Sequence, residues 1–330
     1  DSRGEIRDLD GRPGPVSGPK NRTRCYPAAM HWRDGLAWLT WPLVMASSVA
    51  MAVWGFARGY EAGLWLFVIS VVNFMLVVLL EHLLPRRRDV SLLKDRQSLN
   101  DIGHGVLVAG AARPLAGAVT VAFLAWWTEA GLAFENPAWP VAWSLPLQIV
   151  LVLLITSFLG YWRHRVHHTW GFLWSYHALH HSPQQLHVLK GNRLHFGEEL
   201  LRFVLIPLPL LVLGAPAEAI LWMTLWSNFS GGLAHSNVDQ RFPNWFHAVV
   251  PTVHVHSIHH AQDMEHQTSN LSPTICLWDH LFGTFLHPKS HPVERLGIEG
   301  DPVPAGFFSQ LAQPFVDNYR SLRGAGNSRW

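Results

Sequence analysis

Three copies of one short pattern, H-x-x-H-H, hold the residues of this chain best suited to chemistry. They read HRVHH (His164, His167, His168), HALHH (His177, His180, His181) and HSIHH (His256, His259, His260). Residues i, i+3 and i+4 of a helix share one face, so each copy points three imidazoles in one direction. Neutral imidazole is the commonest metal ligand among side chains. Nine such groups exceed what one ion uses, so the count suggests two ions. Histidine tracts that store zinc or sense pH are usually low in complexity, whereas these copies stand among aromatic and aliphatic residues. An all-imidazole set suits iron, zinc or copper, and the sequence does not choose among them.

The elements that must position these copies read as membrane helices. Of the 330 residues, 49% are hydrophobic and 15% charged, and the apolar ones gather in long runs. The formal net charge is +2, with no basic face to argue for nucleic acid. Residues 36–57 and 64–84 each match the roughly 20 residues that cross a bilayer core. The short link RGYEAG makes them an antiparallel hairpin. A third span is expected over 114–130, after Arg113 and a short surface helix, because a charge at the bilayer centre is costly. A fourth, 145–162, runs directly into Arg163, His164 and Arg165. The basic stretch Arg86, Arg87, Arg88, Lys94, Arg96 follows span two and marks the cytoplasmic side. Four crossings then bring the first two histidine copies out on that face.

Residues 200–214 and 217–226 are apolar but short, and Pro207, Pro209 and Pro216 interrupt them. They read as a re-entrant or interfacial helical hairpin that returns the third copy to the same face. Residues 1–34 read as a flexible tail, and 35–330 as one membrane-embedded domain with its histidine-rich part over about 163–290. The expected fold is an all-α integral membrane protein: about four transmembrane helices, the hairpin, and a cytoplasmic helical cap around a dimetal site. A bacterial inner membrane or the endoplasmic reticulum would house it. Tryptophans near the span ends, such as Trp54, Trp126 and Trp162, fit an aromatic interface belt. Two cysteines, Cys25 and Cys276, allow one disulfide but no four-cysteine iron–sulfur cluster.

The run YWRHRVHH (161–168), then Leu173-Trp174 and HALHHS (177–182), resembles the fatty acid hydroxylase/sterol desaturase superfamily. Its members carry H-x(3,4)-H, then H-x(2,3)-H-H, then a distal (H/Q)-x(2,3)-H-H. HSNV at 235–238 and Trp278-Asp279 followed by FGTF (282–285) match as well, and the resemblance covers about residues 90–300. It implies two iron ions held by His164, His168, His177, His180, His181, His235, His256, His259 and His260. His167 departs from the pattern, since the first family cluster needs only the outer pair. His167 and His254 are weaker metal candidates, and His195 is a neighbour of the site. Metal-bound histidines usually donate their other ring nitrogen to a carboxylate or carbonyl. Asp279, Asp263, Glu198, Glu199 and Asp239 are candidates, with Asp279 first because it lies in the family-like Trp-Asp pair. His187, His266, His280, His287 and His291 read as surface residues or as neighbours of the metal ligands, and His31, His82 and His104 as unrelated to the metals.

The resemblance implies O2-dependent hydroxylation of a C–H bond in a membrane lipid: a sterol, carotenoid, acyl chain, aminolipid or alkyl ether lipid. Desaturation on the same site is the alternative. The sequence holds no C-x-x-C-H haem attachment, and Gly103-His-Gly105 lacks the glycine spacing of a dinucleotide fingerprint. A separate reductase or small electron carrier is therefore expected. Two readings from other classes fit less well. A membrane metallohydrolase calls for a motif such as H-E-x-x-H, and the nearest run, His195-Phe-Gly-Glu198-Glu199, has the wrong order. A metal transporter would place its ligands inside the spans.

Overall fold

The computed structural model describes residues 32–134 and 138–324. The expected tail lies outside these residues except for 32–34, which are helical, and Cys25 lies outside them too. Every regular element described is helical. Helices α1 (Trp32–Phe56) and α2 (Ala62–Leu83) form the expected hairpin. Glu61 caps α2 by accepting from the amides of Gly63 and Leu64. The two helices touch where Gly55 lies under the Trp65 indole; a Cβ at Gly55 would fall 1.9 Å from Nε1, so only glycine fits. Polar groups turn inward here: Ser48 and Asn73 are buried and bonded to each other. Leu39, Leu43, Phe67, Met75 and Leu79 face outward. This inversion of the usual arrangement suits a hydrocarbon solvent.

The third span differs from expectation at its start. Helix α3 (Ser98–Leu107), a π-helical turn (Val108–Ala112) and α4 (Arg113–Glu129) run on as one helix through Arg113 and Pro114. Proline supplies no amide to the helical ladder, and the π turn just before it absorbs the irregularity. Arg113 is housed by packing its guanidinium 5.0 Å from the ring of Phe203. The α3 end is polar within: Asp101 and His104 are fully buried against the cap. Helix α5 (Leu145–Thr169) is the fourth span and carries the first histidine copy in its last turns. Among the described residues, four helices are thus long and apolar enough to cross a membrane.

Helix α6 (Gly171–His181) follows at once, then α7 (Phe196–Leu205), α8 (Pro207–Leu213) and α9 (Ala217–Ala234). Gly214, in the left-handed conformation at φ +86°, turns α8 into α9. Leu210, Ala219 and Met223 lie against Trp139 and Val152, and Trp222 meets Phe56 at the distal end of α1. The hairpin therefore packs against α5 and the end of α1. The cap is completed by α10 (Asn244–His247), α11 (Val253–His259), α12 (Met264–Gln267), α13 (Leu277–Phe282) and α14 (Phe307–Leu322). Buried Glu81, near the end of α2, accepts from the amides of Val188 and Asn237 and ties the hairpin to the cap. The stretch after α2 docks there as well: Arg86 donates to Ser257 and Asn237 bonds Arg87.

Candidate metal centre

Four elements deliver the nine histidines to one end of the bundle. Helix α5 brings His164 and His168, and α6 brings His177, His180 and His181. His235 caps the C-terminus of α9, and α11 with its cap brings His256, His259 and His260. The imidazoles sort into two groups, each with potential ligand atoms within 4.8 Å of one another. One group is His164, His168, His177, His181 and His259; the other is His180, His235, His256 and His260.

Helical geometry explains the sorting. In each copy the i and i+4 residues fall in the same group: His164 with His168, His177 with His181, His256 with His260. The i+3 residue, rotated to the flank of that pair, reaches across. His180 leaves its helix-mates for the second group, and His259 leaves its own for the first. The rings of His181 and His260 stack at 4.5 Å where the groups meet. His167, the i+3 residue of the first copy, has no second group on its flank. It stands outside both.

The outer ring nitrogens fix the tautomers. Nδ1 of His164 donates to the Leu271 carbonyl at 2.7 Å and Nδ1 of His259 to the Ser269 carbonyl at 2.9 Å. Nδ1 of His235 donates to the Gly231 carbonyl at 2.8 Å, and Nδ1 of His177 to Glu198 at 2.9 Å. Each neutral ring then presents a bare Nε2 lone pair inward. Nε2 of His164 lies 3.0 Å from that of His177 and 3.0 Å from that of His259. In the second group, Nε2 of His235 lies 3.2 Å from that of His180 and 2.9 Å from that of His256. Lone pair facing lone pair is repulsive, and a cation shared between them relieves it. The donor set therefore fits two metal ions, one per group.

Electrostatics point the same way. Burial chiefly, reinforced by neighbouring imidazoles, keeps His180, His181, His256 and His260 well below the ordinary imidazole range. The same causes push His259 down to about 3, and burial takes His235 to about 4. Neutral imidazole is the form a metal requires. Burial by itself would raise Glu198, but the hydrogen bond from His177 and the charge of Arg163 outweigh it and hold its carboxyl well below the usual carboxylate range. Its Oε1 accepts from both His177 and Arg163, the latter at 2.8 Å.

Asp279 does a different job from the one expected. It touches no imidazole. Its two oxygens accept from the amides of Leu271 and Ser272 and from the Thr284 hydroxyl. Asn270, just before Leu271, takes a left-handed backbone, φ 52°, and anchors to the carbonyls of Val255 and Leu286. Asp279 thus fixes the loop whose Ser269 and Leu271 carbonyls hold His259 and His164. The carboxylate in direct contact with a clustered histidine is Glu198. Its position in the first turn of α7 offered no periodic signal in the sequence, only an acid beside an apolar run. Glu199 pairs instead with Arg202, and Asp239 lies 3.9 Å from Arg241. Asp263 caps α12.

The remaining candidates are accounted for by other partners. His195 caps α7, accepting from Gly197 and donating to the Leu311 carbonyl. His254 donates to the Gln240 carbonyl. His187, expected at the surface or beside the ligands, is fully buried and bonded to Asp95. Asp95, Asp101 and His187 converge as ligands might, but Lys190 Nζ already sits 2.5 Å from Asp95 and 2.6 Å from Asp101. Arg193 joins it, binding Asp101 as well as the Leu179 carbonyl at the end of α6. That cluster is an ion-pair network bracing the helix that carries His177, His180 and His181.

Comparison with known proteins agrees with this geometry. The Fatty acid hydroxylase family model matches residues 149–284, a stretch that contains all nine clustered histidines. An ornithine lipid hydroxylase of Rhizobium tropici is 33% identical over 280 residues, spanning 84% of this chain and 83% of that protein. An alkylglycerol monooxygenase of Xenopus tropicalis is 22% identical over 247 residues, 68% of this chain and 50% of that protein. A very-long-chain aldehyde decarbonylase of Arabidopsis thaliana is 29% identical over 159 residues, 44% of this chain and 24% of that protein. No solved structure gives a significant match.

Proposed function

This chain belongs to the fatty acid hydroxylase family, and from that premise we propose that it is an O2-dependent di-iron hydroxylase acting on an aminolipid of the membrane. The observation that carries the reading is the pair of imidazole groups with Nε2 atoms turned inward. Two bound irons would supply reductive activation of O2 and removal of hydrogen from an unactivated C–H bond. The balance is one C–H bond, one O2, two electrons and two protons in, and one C–OH and one water out.

The chain's own groups orient and insulate this site. Glu198 and the carbonyls of Leu271, Ser269 and Gly231 hold four rings in one tautomer. Burial keeps the rings neutral and bulk water away. The choice of an aminolipid rests on the relative that acts on ornithine lipid, which this chain matches over most of its length. A transporter would spread its ligands through the spans; here the nine stand together at one end. Desaturation would use the same ligand set, and no observation favours it.

The basic residues from Arg86 to Arg96 lie at the histidine end, and Arg86 contacts α11 directly. By the positive-inside rule this supports a site on the cytoplasmic face. Electrons then come from a separate soluble or membrane-bound carrier. Expression in a host of defined lipid composition, followed by mass spectrometry, tests the reading: a lipid heavier by one oxygen is expected. A lipid lighter by two hydrogens would shift the assignment to desaturation, and an unchanged lipid pool would overturn both.

A further inference from the structure

The histidine that joins neither group lines a cavity. His167 is 1% exposed, and its Nδ1 donates to the Arg163 carbonyl at 2.7 Å. That bond places the proton on Nδ1 and leaves Nε2 as an acceptor. Among the described residues Nε2 has no hydrogen-bond partner, and neither does Oε2 of Glu198. Buried polar atoms left unpaired are uncommon and call for an explanation. Both side chains line one groove of about 620 Å3, the size of a small-molecule site. Apart from them and Tyr176, its walls are apolar: Leu115, Val119, Phe172, Leu201, Val204 and Phe315 among them. Leu115 and Val119 belong to the third span and are 53% and 44% exposed, so the groove's lip is continuous with the surface that faces hydrocarbon.

We propose that this groove between α4, α6 and α7 seats the substrate's hydrocarbon chain, and that His167 Nε2 and Glu198 Oε2 accept a hydrogen bond from an N–H or O–H of the same lipid. The inference rests on the lipid hydroxylase reading and deepens it. Two acceptors in an apolar wall select a donor; an ester or ether oxygen gains nothing from them. Position adds to this. The other oxygen of Glu198 holds His177, so a donor seated on Oε2 lies one carboxylate away from a clustered imidazole. His167 is thus a positioning residue. Its departure from the pairing of the other histidines has a use: it faces the substrate because it has no metal to face.

Two measurements test this on the full-length, metal-loaded protein. The first uses an N-acyl ornithine lipid with a photoreactive diazirine in its acyl tail. Crosslinks are expected on α4 and α7, around Val119, Leu201 and Val204. Labels confined to the other apolar cleft, beside Met45, Ile149 and Trp222, would overturn the groove assignment whether or not the protein is active. The second compares His167→Phe, which keeps a ring without the acceptor, with His167→Gln, which restores one. Both should retain the wild-type metal content. KM for the ornithine lipid should rise about ten-fold in His167→Phe, more than kcat falls, and recover in His167→Gln. An N-methylated amide analogue, lacking the donor, should bind wild type as weakly as it binds His167→Phe. Loss of one metal in both variants would make His167 a ligand and overturn its role here, as would equal KM values in all three proteins. Correct crosslinking with no oxidised product from any lipid would instead refute the hydroxylase reading and leave the groove standing.

Discussion

His177 turns its Nδ1 to Glu198 at 2.9 Å and its Nε2 to Nε2 of His164 at 3.0 Å. One imidazole thus links a buried carboxylate, itself paired with Arg163, to the first histidine group. Such outer partners orient a ligand and raise its basicity. Glu198→Ala should weaken metal affinity in the first group by about 10–100-fold, read as one metal per chain after mild chelation where wild type keeps two. Leaving Arg163 buried without its partner also costs stability, about 3 kcal/mol or more. Glu198→Gln, which keeps a hydrogen-bonding oxygen, separates the effects and should fall between. Two retained metals in Glu198→Ala would show that His177 needs no carboxylate.

His235 and His254 both flank the third histidine copy in space but make opposite predictions. His235 lies 2.9 Å from His256, whereas His254 is occupied by a backbone carbonyl. His235→Ala should lose the second metal and keep the first; His254→Ala should keep both. Elemental analysis of the purified variants reads the outcome directly.

Asp279→Ala should act at a distance. It releases the amides of Leu271 and Ser272 and frees the loop that holds His164 and His259. Hydrogen bonds to a buried charge contribute about 1.5–3 kcal/mol each, so a marked fall in thermal midpoint is expected even in metal-free protein. Glu198→Gln should disturb metal retention more than folding; the reverse order would exchange the two roles.

The pH dependence has a definite sign. In the folded metal-free protein His259 titrates at about 3 and His235 at about 4, against 6.5 for an ordinary imidazole. Between these values the unfolded chain binds protons that the folded one refuses, so stability rises with pH through that window. It is fully present above about pH 6.5 and is lost as pH falls through the folded values. Metal retention falls in the same direction, because protons compete for Nε2. Denaturation midpoints measured in detergent from pH 7.5 to 4 should be level at first and then drop. A profile flat throughout would contradict the burial of these rings.

Much of this was legible because helical spacing writes itself into the sequence. The pairs His164/His168, His177/His181 and His256/His260 are one turn apart, and the runs that became α1, α2 and α5 have bilayer length. Which histidines group together was not legible. The crossing of His180 and His259 to opposite groups depends on how α6 and α11 pack, and the sequence carries no mark of that. The helix break expected before Pro114 is absent because a π turn and the ring of Phe203 accommodate Arg113-Pro114. Glu198 was ranked below Asp279 for a related reason. It is 21 residues from His177 along the chain, and only the return of α7 against α6 brings them together.

The central claim, a two-metal site that oxidises a lipid C–H bond, is tested most directly by isotope. The protein is expressed with its lipid pool defined and supplied with oxygen-18-labelled dioxygen in ordinary water. A lipid carrying one labelled oxygen is expected from wild type and none from His180→Ala, whose membrane insertion should be unchanged. Oxygen drawn from water, or labelled product persisting in His180→Ala, would contradict the claim.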